Sequence, residues 1–294
     1  MTRHLLTGSE LSAAELDALL DRALELKAGR ATGEGARGLA GRSIALVFER
    51  PSTRTRVSFE VGVAELGGVP LVLRDDELQL ARGESVGDTA RVLSRYVHAL
   101  VVRAGSHELL GDLAAASEVP VVNALTPAHH PCQALADLLT LRERFGELDS
   151  LRVAYLGDGN NVARSLALLG RLAGVEVRVA TPAGYGLEAG VAALDTDDPR
   201  EAVKGADAVY TDVWVSMGDE DEAERRRSDL APFQVNEELL AAASERAVVL
   251  HCLPAHPGEE ITAAVLHGPR SAVWDQAENR LHAQKALLEL LLAS

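Results

Sequence analysis

Three hydroxyls and two guanidiniums fall within five consecutive residues, Ser52-Thr53-Arg54-Thr55-Arg56. The segment follows an apolar run and opens a helical pattern, so free backbone N–H groups and the helix dipole already favour an anion there. Hydroxyl donors and forked guanidiniums around such a terminus suit a phosphate. The plainer alternative is a helix N-cap at Ser52 or Thr53 beside two surface arginines. Arg103 closes another apolar run, and ligands of parallel α/β sheets sit at the carboxyl ends of strands; as a surface arginine it would need no explanation. His130 precedes Pro131, a favoured first helical residue. That puts its imidazole and the Gln133 amide at a second helix N-terminus, although a lone histidine is more often structural. Asp212 ends a strand pattern ahead of the loop Ser216-Met217-Gly218. A carboxylate beside hydroxyl and N–H donors suits an α-amino acid, its ammonium on Asp212 and its carboxylate near Ser216 and Met217. A helix-cap or turn aspartate is the alternative. Cys252, directly after His251, is by residue type a small buried hydrophobe.

Other chemistries find less support. Leu156-Gly157-Asp158-Gly159-Asn160-Asn161 lies between a strand and a helix, where a dinucleotide site must be considered. The third glycine of that fingerprint falls at Val162, and the next strand ends at Thr181-Pro182 without an acid for a ribose. His251, His256, Glu259 and Glu260 show no metal-ligand spacing, and neither a metal nor an organic cofactor is expected. The lysines are three, Lys27, Lys204 and Lys285, which leaves few candidates for Schiff-base chemistry. In 294 residues, 44 Asp and Glu stand against 29 Lys and Arg, a formal charge of −15. Nucleic acids and anionic membranes need a cationic surface, so neither is an expected partner. An anionic ligand would have to be held by basic groups focused locally. Cys132 and Cys252 form no disulfide framework and fit a reducing compartment. With no apolar run near the ~18 residues of a membrane span and no signal-peptide segment at the start, a cytoplasmic protein is expected.

These residues need elements to hold them. Ser12 and Glu15 form a capping box, Leu11 and Leu16 a hydrophobic staple, and the Gly-rich stretch from Gly29 to Gly41 ends the first helix. Strands are predicted at 44–48, 69–73, 99–103, 119–123, 153–156, 175–180, 208–211 and 248–251. Helices are predicted at 55–66, 85–96, 131–145, 162–172 and 236–243, with another at the C-terminus. Alternation of this kind calls for parallel sheets flanked by helices. The break at 146–150 divides the strands four and four, so the expected fold is α/β, with two domains linked by interdomain helices. The expected boundaries are 1–145 and 146–277, with the helix 278–294 packing back on the first domain. The charged run 219–227 reads as a solvated loop.

The segment Ser52-Thr53-Arg54-Thr55-Arg56-Val57-Ser58-Phe59-Glu60 resembles the carbamoyl-phosphate loop of the aspartate and ornithine carbamoyltransferases. Three further blocks agree in order and spacing: His130-Pro131-Cys132-Gln133 with Ala136-Asp137, Asp212 to Gly218, and His251-Cys252-Leu253-Pro254. The resemblance covers essentially the whole chain and favours the ornithine branch. The loop with Gln79 and Gly83-Glu84-Ser85 is similar to one that reaches an adjoining subunit's site, and it lacks the lysine of the aspartate enzymes. By resemblance, Ser52, Thr53, Arg54, Thr55 and Gln79 bind the phosphate. Arg103, His130 and Arg280 polarise the carbamoyl carbonyl, Gln133 and the Leu253 carbonyl lie at its nitrogen, and Cys252 also belongs to the carbamoyl-phosphate group. Asn161, Asp212, Ser216 and Met217 then take ornithine, with Cys252 beside the reacting δ-amine. The implied activity is carbamoyl transfer from carbamoyl phosphate to ornithine, giving citrulline and phosphate in arginine metabolism. The implied assembly is a homotrimer. A carbamoyltransferase for another amine, such as putrescine, would keep the phosphate loop without needing Asp212 and Ser216.

Overall fold

The computed structural model describes residues 2–74, 77–78, 83–216 and 220–293, with the Glu220 side chain excepted; Gln79 and Met217 lie outside the described residues. The chain divides into two compact units, Met1–Leu139 with Asn279–Ser294, and Thr140–Glu278. Each is a parallel sheet flanked by helices.

In the first unit, α1 (Ala13–Thr32) opens on the capping box, Ser12 and Glu15 each accepting from the other's backbone N–H. It runs past Gly29 and stops at Gly33, whose φ of 79° is the left-handed conformation that a helix C-terminus favours and glycine adopts freely. Then follow β1 (Ser43–Phe48), α2 (Thr53–Glu65), β2 (Val69–Arg74), α3 (Val86–Leu93), β3 (Ala99–Arg103), α4 (His107–Ala116), β4 (Val121–Leu125) and α5 (Pro131–Phe145), which belongs to the second unit from Thr140 on. The sheet order is β2-β1-β3-β4, all parallel. β1 and β3 are buried almost end to end, as strands covered on both faces must be. The chain leaves β1 for β2 on one side and returns to β3 on the other. The C-terminal ends of β1 and β3, paired at Phe48 and Arg103, therefore flank a topological switch point, where such sheets bind ligands.

The second unit holds β5 (Arg152–Leu156), α6 (Asn161–Leu172), β6 (Glu176–Ala180), β7 (Leu194–Thr196), α7 (Pro199–Val203), β8 (Ala208–Thr211), α8 (Ala223–Leu230), α9 (Glu237–Ala241), β9 (Val248–His251) and α10 (Ala263–Leu266). Its parallel order is β7-β6-β5-β8-β9, so the switch lies between β5 and β8. Leu156 pairs with Thr211, and Thr211 with His251, so three strands end level. The last helix, α11 (Val273–Leu292), starts in this unit and ends in the first.

Three expectations are corrected. The second sheet has five strands, because the three residues of β7 carry no apolar run to announce them. The charged run is no plain loop: α8 begins at Ala223, and Arg226 within it is buried. Arg226 Nε donates to the Trp214 carbonyl at 2.6 Å, its guanidinium meets Asp158, and it lies 5.2 Å from the Tyr185 ring centroid. An arginine with that many partners is drawn inward whatever its neighbours. β4 also lies two residues later than predicted, after Pro120.

Candidate active site

In the first unit, Ser52 is the N-cap of α2, its hydroxyl accepting from the Thr55 N–H. The cap and the anion readings of this segment therefore coexist at one helix terminus. Thr53 and Arg54 are exposed in the first turn, and Thr55 is buried. Arg56 is not aimed with Arg54; it pairs with Glu60 one turn along, at 3.2 Å. The second guanidinium comes from other elements. Arg103 is 7% exposed at the end of β3. Burial, with the positive charges of Arg280, Arg50 and Arg54 behind it, lowers its pKa to about 10. It remains charged at pH 7 all the same, and its buried Nε has no hydrogen-bond partner among the described residues.

Arg280, from α11, is buried and reaches back into this group. Its Nη2 donates to Thr55 Oγ1 at 2.8 Å and its Nη1 to Gln133 Oε1 at 3.1 Å. The Gln133 amide then donates to Asp137 Oδ1 at 2.8 Å, which fixes its orientation. His130, 4% exposed just ahead of α5, has its pKa held well below 6.5 by burial and then by Arg280 and Arg103. Its imidazole is neutral at pH 7, able to donate or accept one hydrogen bond without adding charge. Cys132 is fully desolvated, and burial pushes its thiol up to about 12 against the pull of Arg280, so it is inert. Glu49, which the sequence reading passed over, straps the turn after β3: its carboxylate accepts from the Gly105 N–H at 2.5 Å.

In the second unit, the level ends of β5, β8 and β9 bring Asn160 and Asn161, Asp212, and Cys252 together. Asn160, N-cap of α6, donates to Asp212 Oδ2 at 2.8 Å. Asp212 Oδ1 accepts from the Cys252 thiol and the Val213 N–H, each at 2.8 Å. Asn161 is the first residue of α6, and Ser216 is half-buried beyond β8. His251 Nδ1 accepts from the Leu253 N–H at 2.9 Å, and His251 Nε2 lies 3.1 Å from the buried Glu260 carboxylate. With Nδ1 accepting, the ring proton sits on Nε2 and points at Glu260. Leu253 has φ 59°, a conformation that costs a non-glycine residue energy and so marks a site worth holding. The second glycine of the Gly157–Gly159 pair also has a structural reason: a Cβ on Gly159 would come within 2.5 Å of the Tyr185 carbonyl. Its small size serves the protein's own backbone, not a pyrophosphate.

Among the described residues, two clusters bring possible metal ligands within 4.8 Å, Asp212 with His251 and Cys252, and His256 with Glu259 and Glu260. Their atoms are largely committed to one another. Asp212 holds Cys252, His251 Nδ1 holds Leu253, and Glu260 Oε1 accepts from both His251 and the His256 N–H. A cation at the first cluster would have to displace these bonds; at the second, Glu260 Oε2 has no hydrogen-bond partner among the described residues and lies 3.8 Å from His256 Nδ1.

Two doubly wound units, one with converging guanidiniums at its switch point and one with a caged carboxylate at its own, have the form of a two-substrate α/β transferase. The chain belongs to the aspartate/ornithine carbamoyltransferase family: the carbamoyl-P binding domain matches residues 3–143 and the Asp/Orn binding domain residues 149–291. An ornithine carbamoyltransferase from Acidothermus cellulolyticus is 56% identical, over 99% of this chain and 97% of its own length. One from Parafrankia is 54% identical, over 99% and 96%. Among solved structures, ornithine carbamoyltransferase from Pyrococcus furiosus superimposes with a TM-score of 0.95 at 48% identity, over 99% of this chain and 97% of that one.

Proposed function

We propose that this chain is an ornithine carbamoyltransferase, moving the carbamoyl group of carbamoyl phosphate to the δ-amine of L-ornithine. The observation that carries the reading is the charge around Arg103, where Arg280, Arg50 and Arg54 all repel it. A phosphate presents oxygens on several sides and matches forked guanidiniums of this kind beside the N-terminus of α2.

In this reading the phosphate lies at the N-terminus of α2, on Ser52, Thr53, Arg54 and Thr55, with Gln79 contributing. The carbamoyl oxygen faces Thr55, Arg103, His130 and Arg280. The neutral δ-amine attacks the carbonyl carbon, forming a C–N bond and a tetrahedral oxyanion that those donors stabilise. The bond between that carbon and the bridging oxygen then breaks, phosphate leaves toward α2 with that oxygen, and the amine proton passes to phosphate or solvent. Gln133 Oε1 and the Leu253 carbonyl accept from the carbamoyl NH2, and Cys252 lies next to the reacting δ-amine. Asp212 takes the α-ammonium of ornithine, while Asn161, Ser216 and Met217 take the rest of the amino-acid head. Catalysis rests on positioning and preorganised electrostatics, with no covalent enzyme intermediate. The assembly is a homotrimer of three chain masses, readable by native mass spectrometry, and the setting is cytoplasmic arginine metabolism.

One assay tests this reading. Citrulline formation is measured colorimetrically with ornithine, alongside carbamoyl transfer to putrescine and to aspartate. Ornithine is expected to exceed putrescine by a factor on the order of 10⁴, because a site built for a polar group rejects an analogue lacking it. Comparable turnover of ornithine and putrescine would move the assignment to a different amine acceptor.

A further inference from the structure

Among the described residues, the Asn160 side chain hydrogen-bonds one residue to which the family resemblance gives a role. That one is Asp212. A carboxylate offers about four lone-pair sites, two on each oxygen. On Asp212, Oδ1 is filled by the Cys252 thiol and the Val213 N–H, and Oδ2 accepts from Asn160 Nδ2. Among the described residues, one site is left, on Oδ2, for one incoming donor.

Asn160 cannot turn its amide over. Its Oδ1 accepts from the Tyr155 hydroxyl at 3.1 Å, the Val162 N–H at 2.9 Å and the Ala163 N–H at 3.2 Å. A flipped amide would set its NH2 against three donors. Tyr155 is fully buried at the end of β5, and burial followed by the nearby Asp212, Cys252 and Asp158 keeps its phenol protonated, so it always donates. The order of dependence runs from Tyr155 through Asn160 to Asp212.

We infer that Asn160 is a positioning residue for the amino-acid substrate: locked by Tyr155 and the N-terminus of α6, it holds Asp212 so that one Oδ2 lone pair faces the α-ammonium. The inference rests on the proposed use of ornithine and adds a residue to that site. Asn160 also caps α6, so a test must separate the cap from the lock. Serine is an equally good N-cap but too short to reach Asp212. Asn160→Ser therefore keeps the helix and removes the lock.

The experiment compares wild type with Asn160→Ser, Tyr155→Phe and the double variant, using ornithine and 5-aminopentanoate, which has the δ-amine and the carboxylate but no α-amine. 5-Aminopentanoate is measured as a competitor of ornithine, so it reports whether or not it reacts. In Asn160→Ser, kcat/KM for ornithine is expected to fall about ten- to a hundredfold, the scale of one hydrogen bond to a charged group. The inhibition constant of 5-aminopentanoate, the KM for carbamoyl phosphate and the Tm stay close to wild type. Tyr155→Phe alone lowers ornithine kcat/KM several-fold and adds nothing in the Asn160→Ser background. Asn160→Asp, which keeps the cap but sets a second carboxylate against Asp212, loses more than Asn160→Ser with the same selectivity. An equal loss for both acceptor compounds, additive double-variant losses, or unchanged ornithine kinetics would overturn the inference while leaving the proposed function intact. Absence of citrulline with wild type would sink the proposed function, and this inference with it.

Discussion

Arg54 and Arg56 stand two residues apart, roughly 200° around a helix, and they end in different places. Arg56 pairs with Glu60, and Arg54 is near enough to repel Arg103. Arg54→Ala is expected to lower kcat/KM for carbamoyl phosphate by about 2 to 4 kcal/mol of transition-state stabilisation, on the scale of one oxyanion-site donor. Arg37→Ala, at an exposed position in the loop before β1, should leave it unchanged; equal kinetics in the two variants would remove Arg54 from the anion site. His130 yields a prediction about stability. Its folded pKa lies well below 6.5, so above pH 6.5 both folded and unfolded forms are neutral and the group adds no pH dependence. Below 6.5 the unfolded chain takes up a proton that the folded chain does not, and stability falls. From pH 7.5 to 5.5 this group alone should cost about 1.4 kcal/mol. Urea unfolding at the two pH values checks it: His130→Gln should lose less stability than wild type on acidification, and identical losses would mean that the imidazole is not held neutral. Residues of this kind, with a hydroxyl, guanidinium or imidazole beside a helix start, were legible because their spacing along the chain is their signal. Asn160 and Arg226 were not, because their partners Asp212 and Asp158 are far away in sequence and nothing local marks the pairing.

Among elements, β1, β3, β5, β8 and β9 fell close to their predicted limits because an apolar run bounded by polar residues is nearly all a buried parallel strand needs. β7 and the short α7 have no such run, the four apolar residues of α10 are too few to announce a helix, and α8 is hidden under its charges; tertiary partners decide them. α11 shows how far apart the sequence keeps what the fold joins. It brings Arg280 to Thr55, and five residues on it brings the buried Lys285 to Glu65 at 2.8 Å. Gly62 of α2 makes room for that approach, since a Cβ there would meet Lys285 Cγ at 3.1 Å. Two of the three lysines bond in this way near α11, the other being Lys27 with Asn279 at 2.9 Å. Lys285→Met should therefore lower unfolding free energy by about 2 to 3 kcal/mol, somewhat under a fully buried pair because Glu65 keeps Arg30. Arg91→Ala breaks an exposed i,i+3 pair with Asp88 and should cost at most about 0.5 kcal/mol. Denaturant unfolding of the two variants distinguishes them, and similar losses would show that the Lys285 pair does no more than a surface one.

At the scale of the whole molecule, a formal charge of −15 surrounds a site that reads as built for a phosphate. The conflict is resolved locally, by gathering Arg50, Arg54, Arg103 and Arg280 at one switch point. The second substrate poses the opposite problem, because ornithine arrives as a cation and must react as a free amine. Its δ-ammonium should titrate near a lysine's, at about 10.4, so at pH 7 only about one molecule in 2,500 carries the lone pair that attacks. In the first unit His130 is a poor acceptor for that proton, since burial and the charges of Arg280 and Arg103 hold its pKa well below 6.5. If the protonated form does not bind productively, kcat/KM for ornithine rises about tenfold per pH unit from 6 towards 8, then levels as the amine or an enzyme group finishes titrating. Cys252, with its thiol on Asp212 Oδ1, is the group placed to ease the loss of that proton. Cys252→Ala should therefore lower kcat more than it raises the KM for carbamoyl phosphate. The measurement is initial rate against pH at saturating carbamoyl phosphate, wild type beside Cys252→Ala. A flat wild-type profile between pH 6 and 8 would show that the free-amine fraction does not limit kcat/KM. An unchanged kcat in the variant would leave Cys252 as a packing residue whose thiol merely holds Asp212.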